Sequence, residues 1–230
     1  AAMGFNRYAD YKFDALNDRT AKREIPAGKI SPRAALLFVI LMSVCFIATT
    51  YFINPICFYL SPIALGVVLF YSFTKRFTSL CHIVLGIGQS LVPIGAYLAV
   101  SGEFALIPII FSFIVLGWMA GFDILYALQD EEFDRGQSLH SIPEKFGRKN
   151  ALLISILIHI TTALLTIFVG IYAGFSWIYW IGAALFIGCL IFQHAILSPK
   201  DISRVNMAFS TTNGIASVVF AVFTIVGLGW

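Results

Sequence analysis

The sequence predicts an all-α membrane protein, folded as a multi-span transmembrane helical bundle. Of its 230 residues, 59% are hydrophobic and 12% are charged, whereas soluble domains are about 45–50% apolar and about 25% charged. Seven uncharged stretches are long enough, or nearly so, to cross the bilayer as helices, since ~30 Å of hydrocarbon takes about 20 helical residues. Nearly all charged residues fall in the connections between these stretches.

The helical elements can be assigned in order from the N-terminus. Residues 1–14 resemble the end of a helix that leaves the membrane, and we expect that an N-terminal portion of the protein precedes them. Ser31 and Pro32 have the residue types of an N-cap and a first helical position, and Asn54-Pro55 joins the first two spans. We expect seven full spans, at residues 34–53, 57–73, 81–100, 104–122, 151–172, 177–197 and 205–228.

The fourth full span is expected to project beyond the membrane. Its helix should continue from Phe122 to about Asp134 and end at Arg135-Gly136. Residues 137–150 are expected to form a polar loop before the next span.

Few other polar groups lie inside the spans. His159 at mid-span and His194 near a span end have no visible partner in the sequence, and we interpret them as satisfied core or headgroup-level histidines. The cysteines show no CxxC spacing, which favours small core residues over disulfides or a zinc site. They are Cys45, Cys57, Cys81 and Cys189.

The distribution of positive charge predicts the orientation in the membrane. All 15 Lys and Arg lie in residues 1–33, 74–80, 123–150 and 198–204, and the alternate connections carry none. By the positive-inside rule the basic end is cytoplasmic. The net charge of +3 therefore reflects orientation, and it does not indicate nucleic acid as a partner, because no long basic run or soluble binding module is present.

Two acidic motifs recur about 120 residues apart, and both contain Asp-x-x-Phe-Asp. Carboxylates at positions i and i+4 of a helix share one face and repel each other, so a bound cation is the usual reason to keep them. Each motif is followed by Ile-Pro and then Gly, which suggests a duplicated unit whose two acidic ends meet at one face of the bundle. The polar stripes are Asn6, Asp10 and Asp14, then Asp123, Asp130 and Asp134.

The residue types predict a metal and a phosphorylated ligand. Hard oxygen ligands suit Mg²⁺, which prefers one or two carboxylates together with water and phosphate oxygens. Nearby cations suit anionic oxygens directly; they are Lys22, Arg23, Lys75 and Arg76. Tyr71 shares a helix face with Lys75, as an interfacial anchor or as part of an anion site. An amphiphilic phosphate with its tail among the spans fits this pattern. Mg²⁺ on an allylic diphosphate would favour ionisation, and an arene could capture the resulting cation.

The spaced motifs resemble those of the UbiA superfamily of intramembrane prenyltransferases. The likeness covers essentially the whole chain: Asn6, Asp10 and Asp14 match the first motif, Asp130 and Asp134 the second, Arg19 to Gly28 the loop after the first, and Tyr71, Lys75 and Arg76 a Tyr-x-x-x-Lys-Arg element. Tyr126-Ala-Leu-Gln-Asp130 and Ser141 to Gly147 resemble the 4-hydroxybenzoate polyprenyltransferase branch. Arg7 and Glu24 depart from the pattern but leave the ligand residues intact. Family members have nine spans, against seven full spans and the end of another here.

This resemblance implies a single prenyltransferase domain over residues 1–230 of a bacterial inner-membrane protein, with its active site at the cytoplasmic face. Two Mg²⁺ would be held by the residues of the two motifs, and Lys75 and Arg76 would clamp the diphosphate. Arg23, Tyr126 and Asp123 are further candidates for binding substrate. The partners would be a polyprenyl diphosphate, an aromatic acid and membrane lipid.

The acceptor is left open by the sequence. The resemblance implies 4-hydroxybenzoate, alkylated ortho to its hydroxyl in ubiquinone synthesis, or a dihydroxynaphthoate in menaquinone synthesis. A different class, a cation-coupled transporter or lipid-phosphate carrier, would use the same charged ends but predicts charges near mid-span. A purely structural role for the acids would not explain their repeated spacing.

Overall fold

The computed structural model describes residues 1–228, and every regular element in that range is helical. The first four helices are α1 Ala2–Asp14, α2 Pro32–Tyr51, α3 Pro55–Thr74 and α4 Cys81–Ser101. The next three are α5 Leu106–Ala127, which continues through a 3₁₀ turn Leu128–Asp130 into α6 Glu131–Gly136, and α7 Ile142–Ala173. The last are α8 Trp177–Ala195 and, after a π-helical turn Met207–Thr212, α9 Asn213–Leu228.

Seven helical segments are long and apolar enough to cross a membrane, as the sequence predicted. Two of them are longer than the others: Leu106–Gly136 has 31 residues and Ile142–Ala173 has 32. The predicted continuation of the fourth span's helix beyond Phe122 is confirmed, and it ends at Gly136.

The predicted start of α2 is confirmed by its cap, and the predicted link at Asn54-Pro55 proves to be the cap of α3. Ser31 Oγ accepts a hydrogen bond from the Ala34 N–H, and Asn54 Oδ1 accepts one from the Cys57 N–H. Each cap is followed by a proline in the first turn, where the missing N–H costs nothing. These two sites fix the start of α2 and the turn between α2 and α3.

The expectation that residues 137–150 form a loop is wrong, because α7 already begins at Ile142. Ser141 Oγ caps this helix by accepting from the Glu144 N–H at 3.3 Å, and Pro143 lies in its first turn. Gly147 then interrupts the helix with a φ of 74°, a left-handed conformation that glycine tolerates and other residues resist. The segment before this kink is a short helical turn over the charged end of the bundle.

Close backbone packing joins α4, α5 and α7 at the centre of the molecule. A Cβ on Gly86 of α4 would lie 2.6 Å from the carbonyl oxygen of Leu116 in α5. On the other side of α5, Gly121 packs directly against the imidazole of His159 in α7. Glycine at these points lets the backbones approach, as in many membrane helix pairs.

Buried polar contacts connect α5 with α8 and α9. Trp118 Nε1 and Gln193 Nε2 both donate to Asn213 Oδ1, at 2.9 and 2.6 Å. His159 Nδ1 lies 2.9 Å from His194 Nε2, so the two histidines without a visible partner in the sequence pair with each other. The four cysteines are free, but the expectation that they are core residues holds only for the buried Cys81, since Cys45 is exposed and Cys57 and Cys189 are half-buried.

Candidate active site

A polar cleft of about 160 Å³ opens at the charged end of the bundle. Residues of both acidic motifs line it, together with the C-terminal end of α3 and the segment that follows α1. The two motifs therefore meet at one end of the molecule, as their repetition predicted. The cleft is lined by Asn6, Asp10, Phe13, Asp14, Asn17, Arg19, Thr20, Arg23, Tyr71, Ser72, Lys75, Arg76, Cys81, His82, Asp123, Tyr126, Ala127, Asp130, Phe133 and Leu139.

The first motif presents its polar stripe to this cleft. Asn6 Nδ2 donates to Asp10 Oδ2 at 3.2 Å, one turn along α1. Arg76 Nη2 donates to Asp10 Oδ1 at 3.2 Å and to the Ala9 carbonyl oxygen at 2.7 Å. Burial raises the pKa of Asp10 above its usual value, although Arg76 and Lys75 oppose the shift.

Asp14 is the last residue of α1, and its carboxylate is buried with only one of its two oxygens in an ion pair. Arg23 Nη1 donates to its Oδ1 at 2.6 Å, while Oδ2 is buried without a hydrogen-bond partner within residues 1–228. Burial raises the pKa of Asp14 to about 6, and the neighbouring Asp10 carboxylate adds to the shift. Burial therefore disfavours the charged form of Asp14, which a bound cation would stabilise.

The second motif is held by cations from distant parts of the chain. Arg19 donates from Nη2 to Asp130 Oδ2 at 2.6 Å and from Nε to Oδ1 at 3.3 Å, a bidentate contact typical of arginine. Asn17 also donates to Asp130 Oδ1, at 3.3 Å. Lys75 Nζ lies 2.7 Å from Oδ1 of the fully buried Asp134. The Ser141 hydroxyl also hydrogen-bonds to the Asp134 carboxylate.

Lys75 and Arg76 join the two motifs, because Arg76 contacts Asp10 and Lys75 contacts Asp134. Burial would lower the pKa of Lys75, but Asp134 outweighs it and the pKa is raised, so the amine stays charged. Two adjacent residues at the end of α3 thus place positive charge between the two pairs of aspartates.

Aromatic and imidazole groups form the membrane side of the cleft. Arg19 Nη1 donates to Tyr126 Oη at 2.8 Å and its guanidinium lies 5.1 Å from the tyrosine ring centre. The Tyr126 ring stacks on Phe209 of the π-helical turn at 4.0 Å. Asp123 contacts His82 Nδ1 at 2.7 Å, and His82 Nε2 accepts from the Ile142 N–H at 3.3 Å.

The carboxylates are not arranged as a preformed metal cage. Within residues 1–228, acidic, histidine and cysteine side chains do not form a group of three or more at metal-binding distances. The donor set nevertheless fits a hard divalent cation. Within residues 1–228 one buried carboxylate oxygen of Asp14 has no hydrogen-bond partner. Burial raises the pKa of Asp10 and Asp14, so a bound cation would stabilise their charged forms.

Comparison with known proteins identifies the family. The model of the UbiA prenyltransferase family matches residues 1–226. The chain belongs to the UbiA prenyltransferase family. Among the curated relatives of this UbiA protein is a 4-hydroxybenzoate octaprenyltransferase of Tolumonas auensis, 32% identical over 96% of this chain and 77% of the relative. The enzyme of the same name from Aeromonas salmonicida is 31% identical over 96% of this chain and 76% of its own.

Solved structures share the UbiA fold. The apo structure of a UbiA homolog from Aeropyrum pernix superimposes with a TM-score of 0.90 at 31% identity, covering 99% of this chain and 84% of that one. A UbiA homolog from Archaeoglobus fulgidus, bound to GPP and Mg²⁺, matches with a TM-score of 0.71 at 21% identity. The match covers 100% of this chain and 83% of that one.

Most site residues expected from the UbiA resemblance lie together. Ten of them line the cleft, and an eleventh, Asp134, contacts the lining residue Lys75. Lys22 is exposed and is not among the lining residues. The sequence reading did not single out Arg19, Asn17 and His82. Arg19 opens the Arg-Thr-Ala loop and could have been found from it, whereas His82 lies in an apolar span and carries no local signal.

Proposed function

We propose that this protein transfers a polyprenyl group from a polyprenyl diphosphate to 4-hydroxybenzoate, with Mg²⁺ as cofactor. One observation carries the proposal: the carboxylates of both motifs and the Lys75–Arg76 pair share one cleft at the charged end of an apolar bundle. A diphosphate there has cationic partners on one side and metal-ligating oxygens on the other, while its tail extends among the spans.

Mg²⁺ would be held by Asp10, Asp14, Asp130 and Asp134, with Asn6 as a further oxygen ligand. When bound, it neutralises the diphosphate and makes it a better leaving group. The structure of the Archaeoglobus homolog with GPP and Mg²⁺ supports this cofactor, as does the Asp14 oxygen that has no hydrogen-bond partner within residues 1–228. A divalent metal in that position would replace Lys75 and Arg23 as the counter-charge of the aspartates.

The basic residues bind the diphosphate and stabilise its departure. Lys75, Arg76 and Arg23 now neutralise carboxylates, and the same groups suit phosphate oxygens once a metal neutralises those acids. As the allylic carbon–oxygen bond breaks, its electron pair leaves with the diphosphate. Once released from the carboxylates, these cations can bind the diphosphate oxygens and stabilise the charge that develops on them.

The acceptor ring is positioned on the membrane side of the same cleft. Its carbon ortho to the hydroxyl forms the new bond to the allylic carbon, and the ring then loses the proton from that position. Asp123 is the group suited to take a proton there, because His82 fixes one carboxylate oxygen at 2.7 Å. Tyr71 provides an aromatic ring that favours a cation. Tyr126, whose ring lies between Phe209 and Arg19, positions Arg19 at the cleft through its hydroxyl.

The choice of 4-hydroxybenzoate rests on the relatives, which are named 4-hydroxybenzoate octaprenyltransferases and match over most of the chain. A dihydroxynaphthoate also carries a carboxylate and a phenolic hydroxyl, so the cleft chemistry alone does not separate the two. We propose an inner-membrane location with the cleft on the cytoplasmic side, which follows from the basic end of the bundle.

The test is prenyl transfer by the full chain in lipid nanodiscs. Geranyl diphosphate is supplied with radiolabelled 4-hydroxybenzoate or a labelled dihydroxynaphthoate, in Mg²⁺ or in EDTA. We expect prenylated 4-hydroxybenzoate only with Mg²⁺, and loss of at least 100-fold in Asp10→Asn and Asp130→Asn, since removing a metal ligand removes leaving-group stabilisation worth several kcal/mol.

Asp201→Asn is the matched control, because Asp201 is an exposed acid outside the cleft. Its activity should equal that of the wild type. Product with the naphthoate alone would reassign the acceptor. Full turnover in EDTA, or in both cleft variants, would contradict the metal assignment.

A further inference from the structure

A groove outside the catalytic cleft lies between α7 and α8. Near their connection the two helices are held together, because Tyr179 Oη donates to the Thr166 carbonyl oxygen at 2.7 Å and Gly170 packs against Tyr179. Towards the charged end, two cavities of about 350 and 320 Å³ open between them. Both cavities are lined by Ile156 and His194, so they form one continuous groove.

The groove changes from apolar to basic along its length. Its inner part is lined by aliphatic side chains, of which Ile160, Leu164 and Ile191 are 51%, 61% and 65% exposed on the surface that faces lipid. Its outer end carries Lys149 and Asn150, and Lys149 has no ion-pair partner within residues 1–228. This polarity matches an amphiphile with an acidic head and an apolar tail.

His159 and His194 lie between the apolar and the basic part of the groove, and their hydrogen bonds show which ring nitrogens carry the protons. His159 Nε2 lies 3.3 Å from the Trp118 carbonyl oxygen, which only accepts, so Nε2 is the donor. In an apolar setting both rings stay neutral, because a buried charge is costly. His159 Nδ1 therefore accepts from His194 Nε2 at 2.9 Å. His194 Nδ1 is left as an acceptor, buried and without a partner among the described residues.

The order of these groups selects the class of ligand. From its apolar part outwards the groove is lined by aliphatic side chains, then by His194, whose buried Nδ1 has no hydrogen-bond partner within residues 1–228, and then by Lys149. Ile156, which lines the groove beside His194, and Lys149 are about 10 Å apart along α7. A ligand must carry a tail, then a hydroxyl donor, then an anion. Phospholipids present ester carbonyls, which are acceptors, where the donor is needed. A hydroxybenzoic acid with its prenyl tail beside the hydroxyl has the required order.

We propose that the α7–α8 groove binds a prenylated hydroxybenzoic acid, with its hydroxyl at His194 and its carboxylate at Lys149. The identity of this ligand rests on the function proposed above, of which it is the product. The groove thus provides a second site at which the product is held in the membrane after it leaves the cleft.

The experiment locates the ligand directly. The full chain in phosphatidylcholine nanodiscs, in EDTA, is irradiated with a 3-prenyl-4-hydroxybenzoate that carries a diazirine in its tail, and the labelled peptides are mapped by mass spectrometry. We expect label within residues 156–164 and 187–194. The 4-methoxy analogue, which lacks the donor, should label this groove about tenfold less.

Two variants test the polar contacts. His194→Phe and Lys149→Gln should each reduce labelling of the groove about tenfold, while the initial rate of prenyl transfer stays unchanged. The test remains valid even if the His194 variant misfolds. Lys149 is exposed, so its substitution should not disturb the fold, and the methoxy analogue is used with the unmodified protein. Label confined to the catalytic cleft would overturn the proposal. Unchanged groove labelling in both tests, the Lys149→Gln variant and the 4-methoxy analogue, would also overturn it. So would a loss of groove labelling when phosphatidylglycerol competes as well as the unlabelled prenylated acid.

Failure of the two proposals can be told apart. Groove labelling in a protein that prenylates no aromatic acid would refute the proposed function and leave the groove as a binding site. Normal prenyl transfer with no groove labelling would refute the groove alone.

Discussion

The buried carboxylate of Asp14 is expected to make Mg²⁺ binding depend on pH. Burial is the leading cause that raises its pKa to about 6. The carboxyl is therefore protonated below pH 6 and must release that proton to bind a metal, so each further pH unit weakens binding about tenfold. The substrate-free protein should need about tenfold more Mg²⁺ at pH 5 than at pH 7 for the same rise in thermal unfolding midpoint.

Asp201→Asn serves as the control for this titration, because its side chain lies in an exposed loop. The variant should show the same pH dependence as the wild type. A Mg²⁺ requirement that stays constant between pH 5 and pH 7 would show that Asp14 is not a metal ligand.

His82 offers a second prediction about a single residue. Its Nδ1 contacts Asp123 at 2.7 Å, and a hydrogen bond to a charged group contributes about 1.5–3 kcal/mol. We expect His82→Leu to reduce kcat/KM for the aromatic acid roughly 10- to 100-fold. His82→Asn keeps an N–H donor and should recover much of the loss. Equal activity of the two variants would show that the N–H of residue 82 does not orient the Asp123 carboxylate.

Sequence reasoning found the residues whose chemistry repeats along the chain, and it missed those that depend on the fold. The spacing of Asp10 and Asp14 already placed both on one helix face. Arg19 reaches Asp130 across 111 positions of sequence, and His82 meets Asp123 only because α4 packs on α5. Such partners are set by tertiary packing, which local patterns do not encode.

At the scale of elements, the contact between α4 and α5 is expected to depend on Gly86. A Cβ there would lie 2.6 Å from the Leu116 carbonyl oxygen, a backbone atom that cannot move aside alone. Gly86→Ala should lower the thermal unfolding midpoint, since overpacking costs about 1–3 kcal/mol, and it should reduce activity by shifting His82 from Asp123.

Gly95→Ala on the same helix is the matched control, because nothing lies within 4 Å of its Cβ position. It should leave both the midpoint and the activity unchanged or raise the midpoint slightly, since alanine favours a helix. An equal loss in the two variants would mean that α4 itself is destabilised, independently of its contact with α5.

Element boundaries show where patterns were sufficient. The start of α2 followed from a polar cap with a proline after it, whereas Asn54-Pro55 at the start of α3 was recognised only as the link between two spans. The same signal, Ser141 before Pro143, was present at the start of α7, but the charges of residues 144–149 favoured a loop. Hydropathy marks where a helix enters the membrane, and it says little about where a helix begins in water.

For the molecule as a whole, the alternation of basic and uncharged connections predicts one orientation. The connections that carry Lys or Arg all lie at the end that holds the cleft, while Glu103 lies in an exposed connection at the opposite end. By the positive-inside rule we expect the cleft to face the cytoplasm and Glu103 to face outward. Under the proposed function, both acidic motifs would then meet a diphosphate substrate on the cytoplasmic side.

Single cysteines in a chain whose four natural cysteines are replaced by serine or alanine test this orientation. Glu103→Cys and Lys200→Cys introduce exposed thiols at opposite ends of the bundle. In intact cells, a membrane-impermeant maleimide should label the Glu103 variant and leave the Lys200 variant unlabelled, and permeabilised cells should show both labelled. Retained prenyl transfer confirms that each variant is folded. Labelling of Lys200→Cys alone in intact cells would place the cleft on the outer side, and would require its diphosphate substrate to be supplied from outside.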